Sequence, residues 1–192
     1  ILNMKEIIKK HILEHEIVLN SIESLIEPIQ EVADLMSKCL SNGGSILWCG
    51  NGGSASDCQH LAGELVGRFV GDRRPLKSIS LNSDTSVMTC IINDYGYEHI
   101  FSRQVEALGS SGDILVGIST SGNSQNILNA FKKANKIGMH TIGFLGKGGG
   151  KASALVSNSI IVPSDTTARV QEIHILIGHI ICDLIEEKLC LK

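Results

Sequence analysis

The spacing of apolar and polar positions divides this chain into helices and short strands. Residues 4–27 place Ile7, Ile8, Ile12, Ile17, Leu19, Ile22, Leu25 and Ile26 among charged residues. That spacing predicts one amphipathic helix, interrupted by Pro28. A second helical pattern runs through Val32, Leu35, Met36 and Leu40 and ends at Gly43-Gly44. The period then changes. Ile46-Leu-Trp-Cys49 is a short apolar run followed by a glycine and serine loop and a new helix. The same order recurs at Asp113 to Ser124, where Ile114, Leu115, Val116 and Ile118 stop at Ser119-Thr120-Ser121-Gly122. Apolar runs of this length predict strands buried on both faces.

Three more strands are predicted near Ser78–Leu81, at His140–Leu145 and at Ser159–Val162, the last stopped by Pro163. Between them, Asp84 can cap a helix running to about Ile92. Asn93 to Glu98 reads as a polar turn, followed by a helix through Phe101, Gln104, Val105 and Leu108. Asn123 opens a helical segment with Ile127, Leu128 and Phe131. Asp165 or Thr166 caps a long final helix carrying Val170, Ile173, Leu176, Ile177, Ile180, Ile181 and Leu184. Strands alternating with helices imply a parallel sheet with helices on both faces, an α/β fold. Ligands in such sheets bind beyond the C-terminal strand ends, where both serine-rich loops fall. The two helices ahead of the first strand have no sheet face reserved for them. They read as an oligomerisation arm over residues 1–42, with the α/β domain over 43–192; the alternative is docking on the same subunit.

Composition narrows the function classes. A length of 192 residues and 43% apolar content suit one domain with an added arm. The net charge of −3 comes without a basic run, which argues against nucleic acid as partner. No apolar stretch approaches the ~20 residues of a membrane span. The first residues already carry charge and helical periodicity, so no signal peptide is expected. Cys39, Cys49, Cys58, Cys90, Cys182 and Cys190 are scattered without a Cys-x-x-Cys pair. Buried free thiols in a reducing cytoplasm are expected rather than disulfides or a thiolate zinc site.

The candidate chemistry starts at the loops. A strand, a hydroxyl-rich loop and a helix N-terminus together make an anion site. Free backbone N–H groups and the positive helix end favour negative charge, and the hydroxyls donate to phosphate oxygens. Gly50, Gly52 and Ala55 also fit the Gly-x-Gly-x-x-Ala dinucleotide pattern. The second strand ends in Asn82 with no acid placed for a ribose, so a small phosphorylated ligand is the better reading. Gly146 to Lys151 lacks the first glycine of a phosphate loop and reads as a flexible turn. His60 and Glu64 are four apart on one helix and share a face, a spacing that serves a metal ion, an acid–base pair or a surface hydrogen bond. Gln171 and His179 lie ~12 Å apart along the last helix, and His174 is a rival for the second position. The inventory fits proton transfer beside a carbonyl, where one group takes the carbon proton and another serves the oxygen.

These residues resemble a known family. Gly112 to Ser124 resembles the signature of the sugar isomerase (SIS) domain. Gly50 to Ser56, His60-x-x-x-Glu64, Asn93 to Glu98, Arg103-Gln-Val-Glu106 and Gln171-Glu-x-His-x-x-x-x-His179 extend the resemblance to the phosphoheptose isomerase family, over nearly the whole chain. The resemblance implies a flavodoxin-like α/β/α sandwich with a five-stranded parallel sheet and a cytoplasmic homotetramer. It implies one zinc per site held by His60, Glu64, Gln171 and His179, with Glu64 and His179 as the acid–base pair. Substrate contacts are implied for Asn51, Gly52, Gly53, Glu64, Asn93, Asp94, Ser119, Thr120, Ser121, Ser124 and Gln171. The implied reaction converts sedoheptulose 7-phosphate to D-glycero-D-manno-heptose 7-phosphate through an enediol. That is the first step toward the heptose of lipopolysaccharide or another surface polysaccharide. Two other readings keep the fold: a non-catalytic SIS tetramer that binds a protein, and an SIS enzyme acting on another sugar phosphate.

Overall fold

A computed structural model describes residues 3–191. The chain opens with α1 (Met4–Ser21), whose Asn3 and Glu6 form a capping box. A 3-10 turn, Ile22–Leu25, separates it from α2 (Ile26–Ser41). The expected single helix to residue 27 is therefore broken earlier than Pro28. Ser21 and Ser24 donate back to the Val18 and Ser21 carbonyls at this break, which offers the backbone an alternative to the helical ladder. Pro28 lies in the first turn of α2, where its lack of an N–H costs no helical hydrogen bond.

The α/β unit then follows: β1 (Ile46–Gly50), α3 (Gly53–Val66), β2 (Ser78–Ser80) and α4 (Thr85–Tyr95). Next come α5 (Ile100–Leu108), β3 (Ile114–Ser119), α6 (Gln125–Ile137), β4 (His140–Leu145), β5 (Asn158–Ile161) and α7 (Thr167–Lys188). All strand pairs are parallel, in the order β2-β1-β3-β4-β5. This is the doubly wound flavodoxin-like order, whose reversal lies between β1 and β3.

Alternation along each strand feeds two cores. Ile46 and Trp48, with Ile114, Val116, Ile142 and Phe144, face one layer. Leu47, Cys49 and Leu115 face the other, against Phe101, Ile127 and Phe131. Trp48 meets Phe144 edge to face at 6.3 Å and donates its indole N–H to Ser78 Oγ at 2.9 Å. Gly117 on β3 leaves room for Phe131: a Cβ there would stand 2.4 Å from the ring.

The two N-terminal helices behave differently. Ile29, Val32, Met36 and Leu40 of α2 are buried in the first core, against β1 and α7. That corrects the expectation that both helices lack a place on their own subunit. By contrast, α1 leans on α7 and buries only Val18 completely, leaving Ile8, Ile12, Leu13 and Ile17 exposed, Ile17 to 61%. Other boundaries shift by a few residues. Asn93 to Tyr95 still belong to α4, and the turn begins at Gly96, whose φ of +89° suits glycine. Asp84 caps α4 through Val87 N–H, whereas Thr166 is the N-cap of α7 without a side-chain bond. Four cysteines are buried free thiols, as expected. Cys90 and Cys190 are exposed. No helix among the described residues is long and apolar enough to cross a membrane.

Candidate active site

Both serine-rich loops emerge at the C-terminal ends of adjacent strands, β1 and β3. The loop after β3 is drawn tight by its own hydroxyls. Ser119 Oγ accepts from Gly122 N–H at 3.2 Å, and Ser121 Oγ accepts from Asn123 N–H at 3.2 Å. A cavity of about 60 Å³ opens there, lined by Asn51, Ser54, Ser119, Thr120, Ser121, Ser124 and Gln171. It has room for a phosphate head and not for a sugar. The side chain of Gln171, from α7, crosses Gly53 so closely that a Cβ on Gly53 would sit 2.8 Å from its amide nitrogen. A side chain at position 53 would displace the Gln171 amide from this place.

The segment after β4 is not the flexible turn read from its glycines. It forms 3-10 turns, Lys147–Ala154, docked on the hydroxyl loop. Ala152 N–H donates to Gly122 O at 2.9 Å and Lys151 N–H to Asn123 Oδ1 at 3.1 Å. Gly122, at φ +62°, lies so close that a Cβ would fall 2.0 Å from Gly149 O. The glycines allow two loops to touch backbone to backbone.

Several residues that sequence reasoning passed over complete the cradle. Asn126, 1% exposed in the first turn of α6, exchanges two amide hydrogen bonds with Asn51 at 3.0 and 2.9 Å. Tyr97 donates its hydroxyl to Asn51 Oδ1 at 2.7 Å. Together they hold Asn51 over the cradle. Asn82, the residue where a dinucleotide site would carry an acid, clasps both backbone groups of Gly50 at 3.2 and 2.9 Å. An asparagine in the first turn of a helix directly after a polar loop was the available signal for Asn126. Asn93 and Asp94 stand apart. They are exposed at the end of α4, bonded to each other at 2.8 Å, and do not line this cavity.

Further along α3 and α7 lies a second cluster. His60 Nε2 is 3.0 Å from Glu64 Oε1, and His179 Nε2 reaches His60 Nε2 at 3.4 Å. One donor atom from each of the three residues falls within 4.8 Å of the others. His179 thus joins the His60–Glu64 pair although α3 and α7 are 119 residues apart in this pairing. Phe69 stacks on the His179 ring, with centroids 5.5 Å apart. Asp57, one turn before His60, keeps a buried Oδ2 without a hydrogen-bond partner. Burial raises its carboxyl pKa, against the pull of His60.

His174, the rival to His179, is a core residue. It is fully buried, donates Nε2–H to Leu145 O at 3.1 Å and packs against Phe144. Burial pushes its pKa down to about 4, partly opposed by that bond. Gln171 lines the cradle. His15 faces Glu172 at 2.7 Å between α1 and α7.

Comparison with known proteins agrees with this architecture. The SIS domain family matches residues 14–146. A phosphoheptose isomerase of Helicobacter pylori strain P12 is 53% identical over 182 residues, 94% of this chain and 95% of that one. Its counterpart in Clostridium acetobutylicum is 55% identical over 164 residues, 85% of this chain and 84% of that one. The solved phosphoheptose isomerase of Neisseria gonorrhoeae matches with a TM-score of 0.92 at 46% identity, covering 96% of this chain and 100% of that chain. Fold and relatives together define a sugar-phosphate isomerase built on an SIS domain. Within that class the chain belongs to the phosphoheptose isomerase family.

Proposed function

We propose that this isomerase interconverts sedoheptulose 7-phosphate and D-glycero-D-manno-heptose 7-phosphate. The single observation that carries the reading is the convergence of His179 onto His60 and Glu64, on the same two helices that border the hydroxyl cradle. Length supports it. Seven carbons joined by ~1.5 Å bonds, ending in a phosphate, span roughly 10 Å. The rise from Gln171 at the cradle to His179 is ~12 Å. A phosphate among Ser119, Thr120, Ser121 and Ser124 leaves C1 and C2 at the imidazole–carboxylate end, with Asn51, Gly52, Gly53 and Gln171 along the way. The relatives' names support the choice of sugar.

The donor set of that end fits one zinc ion. Two nitrogens bound at ~2.05 Å to a tetrahedral centre stand about 3.35 Å apart, and the two imidazole Nε2 atoms are 3.4 Å apart. Two lone pairs at that distance repel unless a proton or a cation lies between them. His60, Glu64 and His179 would hold the metal and leave one position open, the pattern of a catalytic site. Gln171 lines the cradle and its side chain crosses Gly53, so we assign it to the phosphate end. When bound, the ion polarises the sugar's carbonyl and stabilises charge on the enediol oxygen.

A lone pair given to a metal cannot take a proton. Glu64 has two oxygens to divide between the tasks, and its Oε1 already faces His60. Its carboxylate takes the C1 proton of the ketose and returns one at C2. His179 would serve the oxygens through Nδ1, the nitrogen not offered to the metal, giving a proton to O2 as the C2 carbonyl becomes a hydroxyl and accepting that of O1 as the aldehyde forms. Atoms balance, since the two isomers differ only in where two hydrogens sit. The product's use in surface polysaccharide and a cytoplasmic location belong to the same reading.

The exposed apolar face of α1 supports a homotetramer. Asn93 and Asp94, outside the cradle of their own chain, are then contacts that a neighbouring copy can use. Turnover of sedoheptulose 7-phosphate by purified protein, before and after chelation, tests the proposal. Turnover lost on chelation and restored by zinc is the expected result; no product under any condition overturns it.

A further inference from the structure

The cluster is assembled from two helices that share no local sequence, so something must set their register at the level of tenths of an ångström. Arg73 and Glu186 stand where that could be done. Their side chains are 1% and 0% exposed, with Arg73 Nε 2.7 Å from Glu186 Oε1. A buried ion pair of this kind is weak as a stabiliser, because desolvation offsets most of the attraction. Its geometry is more informative.

The guanidinium is a fork with both outer arms on α3. Its Nη2 donates to Glu64 O at 2.7 Å and its Nη1 to Leu65 O at 2.8 Å. These are last-turn carbonyls of α3, which lack helical donors and carry the negative end of the helix dipole. One of them belongs to Glu64 itself. The inner arm reaches Glu186, which is on α7 seven residues beyond His179, two turns along the same face. Glu186 also accepts from Phe69, Val70 and Gly71 N–H at 2.9, 3.0 and 2.9 Å. That ties down the loop whose Phe69 ring stacks on His179. One side-chain pair therefore touches the backbone of Glu64, the helix of His179 and the ring support of His179.

We propose that Arg73 and Glu186 are positioning residues for the reaction: the pair locks α3 to α7 so that Glu64 and His179 meet at one centre, and fixes Phe69 as the backstop of the His179 ring. This rests on the reading of His60, Glu64 and His179 as the metal-holding, proton-moving set. The phosphate cradle lies at the opposite ends of these helices and is independent of the pair.

Arg73→Lys tests it, because an ammonium keeps the charge beside Glu186 and loses the planar fork. Zinc affinity is read by competition with a chromogenic chelator, and kcat and KM are read with sedoheptulose 7-phosphate. Loss of an outer-shell partner of this kind weakens metal binding roughly 10–100-fold, and kcat is expected to fall by a similar factor while KM stays within about threefold. Inorganic phosphate should inhibit variant and wild type equally. A folded Arg73→Lys protein with wild-type zinc affinity and wild-type kcat overturns the proposal and leaves the pair a simple packing contact. Phe69→Leu covers the case in which Arg73→Lys does not fold. It leaves the ion pair whole and removes only the ring, and wild-type values for both readouts there overturn the proposal equally. Wild-type protein that binds zinc without turning over this sugar sinks the substrate reading alone, and the affinity ratio still decides the role of the pair. Wild-type protein that turns over the sugar without zinc sinks the metal assignment, and the split between kcat and KM decides.

Discussion

The two ends of the proposed site are built in opposite ways. The phosphate end is local: β3, five loop residues and the first turn of α6 form one continuous stretch, Ile114 to Asn126, and its hydroxyls bond within the loop. The imidazole–carboxylate end is remote. His60 and Glu64 come from α3, His179 from α7, and a buried Arg73–Glu186 pair spans the helices behind them. A local cradle survives small displacements of its neighbours. A remote cluster depends on tertiary register, so the same disturbance should harm turnover far more than binding.

The sharpest way to separate the two ends is Glu64→Gln. It keeps size and polarity and removes the base, so kcat is expected to fall by about 10²–10⁴-fold. Calorimetric binding of the sugar phosphate should stay within a few-fold of wild type. Full turnover in this variant would sink the role assigned to Glu64. Next in size is Gly122→Ala, which attacks the cradle. The added Cβ meets Gly149 O in a left-handed backbone position, so stability should drop by roughly 2–4 kcal/mol and KM should rise more than kcat falls. A melting temperature and KM equal to wild type would show that the two loops can separate freely.

Acid titration probes the tertiary anchor. Burial alone would raise the Glu186 carboxyl pKa, but the Gly71, Phe69, Arg73 and Val70 donors outweigh it and hold the value at about 2 instead of 4.5. A folded pKa below the unfolded one means stability that is complete above pH 4.5 and lost as pH falls toward 2. The contribution is on the order of 3 kcal/mol, and Glu186→Gln should flatten that part of the acid-unfolding curve. An unchanged curve in that variant breaks the assignment. The smallest effect belongs to Tyr97→Phe, which deletes one hydrogen bond to Asn51. About 0.5–1.5 kcal/mol should appear as a modest rise in KM, measured by steady-state kinetics, with no change in kcat.

Much of this was legible along the chain. The strand–loop–helix order, the parallel sheet and the hydroxyl cradle all follow from short-range periodicity and from what serine and glycine do at strand ends. The His60–Glu64 pair follows from helical spacing alone. Where the reading failed, a longer-range contact had intervened. Pro28 looked like a helix breaker, yet the preceding serines end α1 first and leave it in a first turn. The glycines after β4 looked mobile because their docking on Gly122 and Asn123 cannot be seen from their own neighbours. His174 and His179 looked alike on one helix, and only burial against Phe144 and Leu145 tells them apart.

By itself, then, the order of residues determined the class of fold, the hydroxyl-rich loop and two of the three members of the imidazole–carboxylate cluster, because each depends on contacts within a few residues. Spacing alone did not bring His179, which only the family resemblance had named, onto that cluster; tertiary structure did so, and it alone decided that Gln171 faces the cradle and that Arg73 and Glu186 stand behind the site. Those outcomes turn on how two helices, distant in the chain, are seated on one sheet, and no local periodicity encodes that distance.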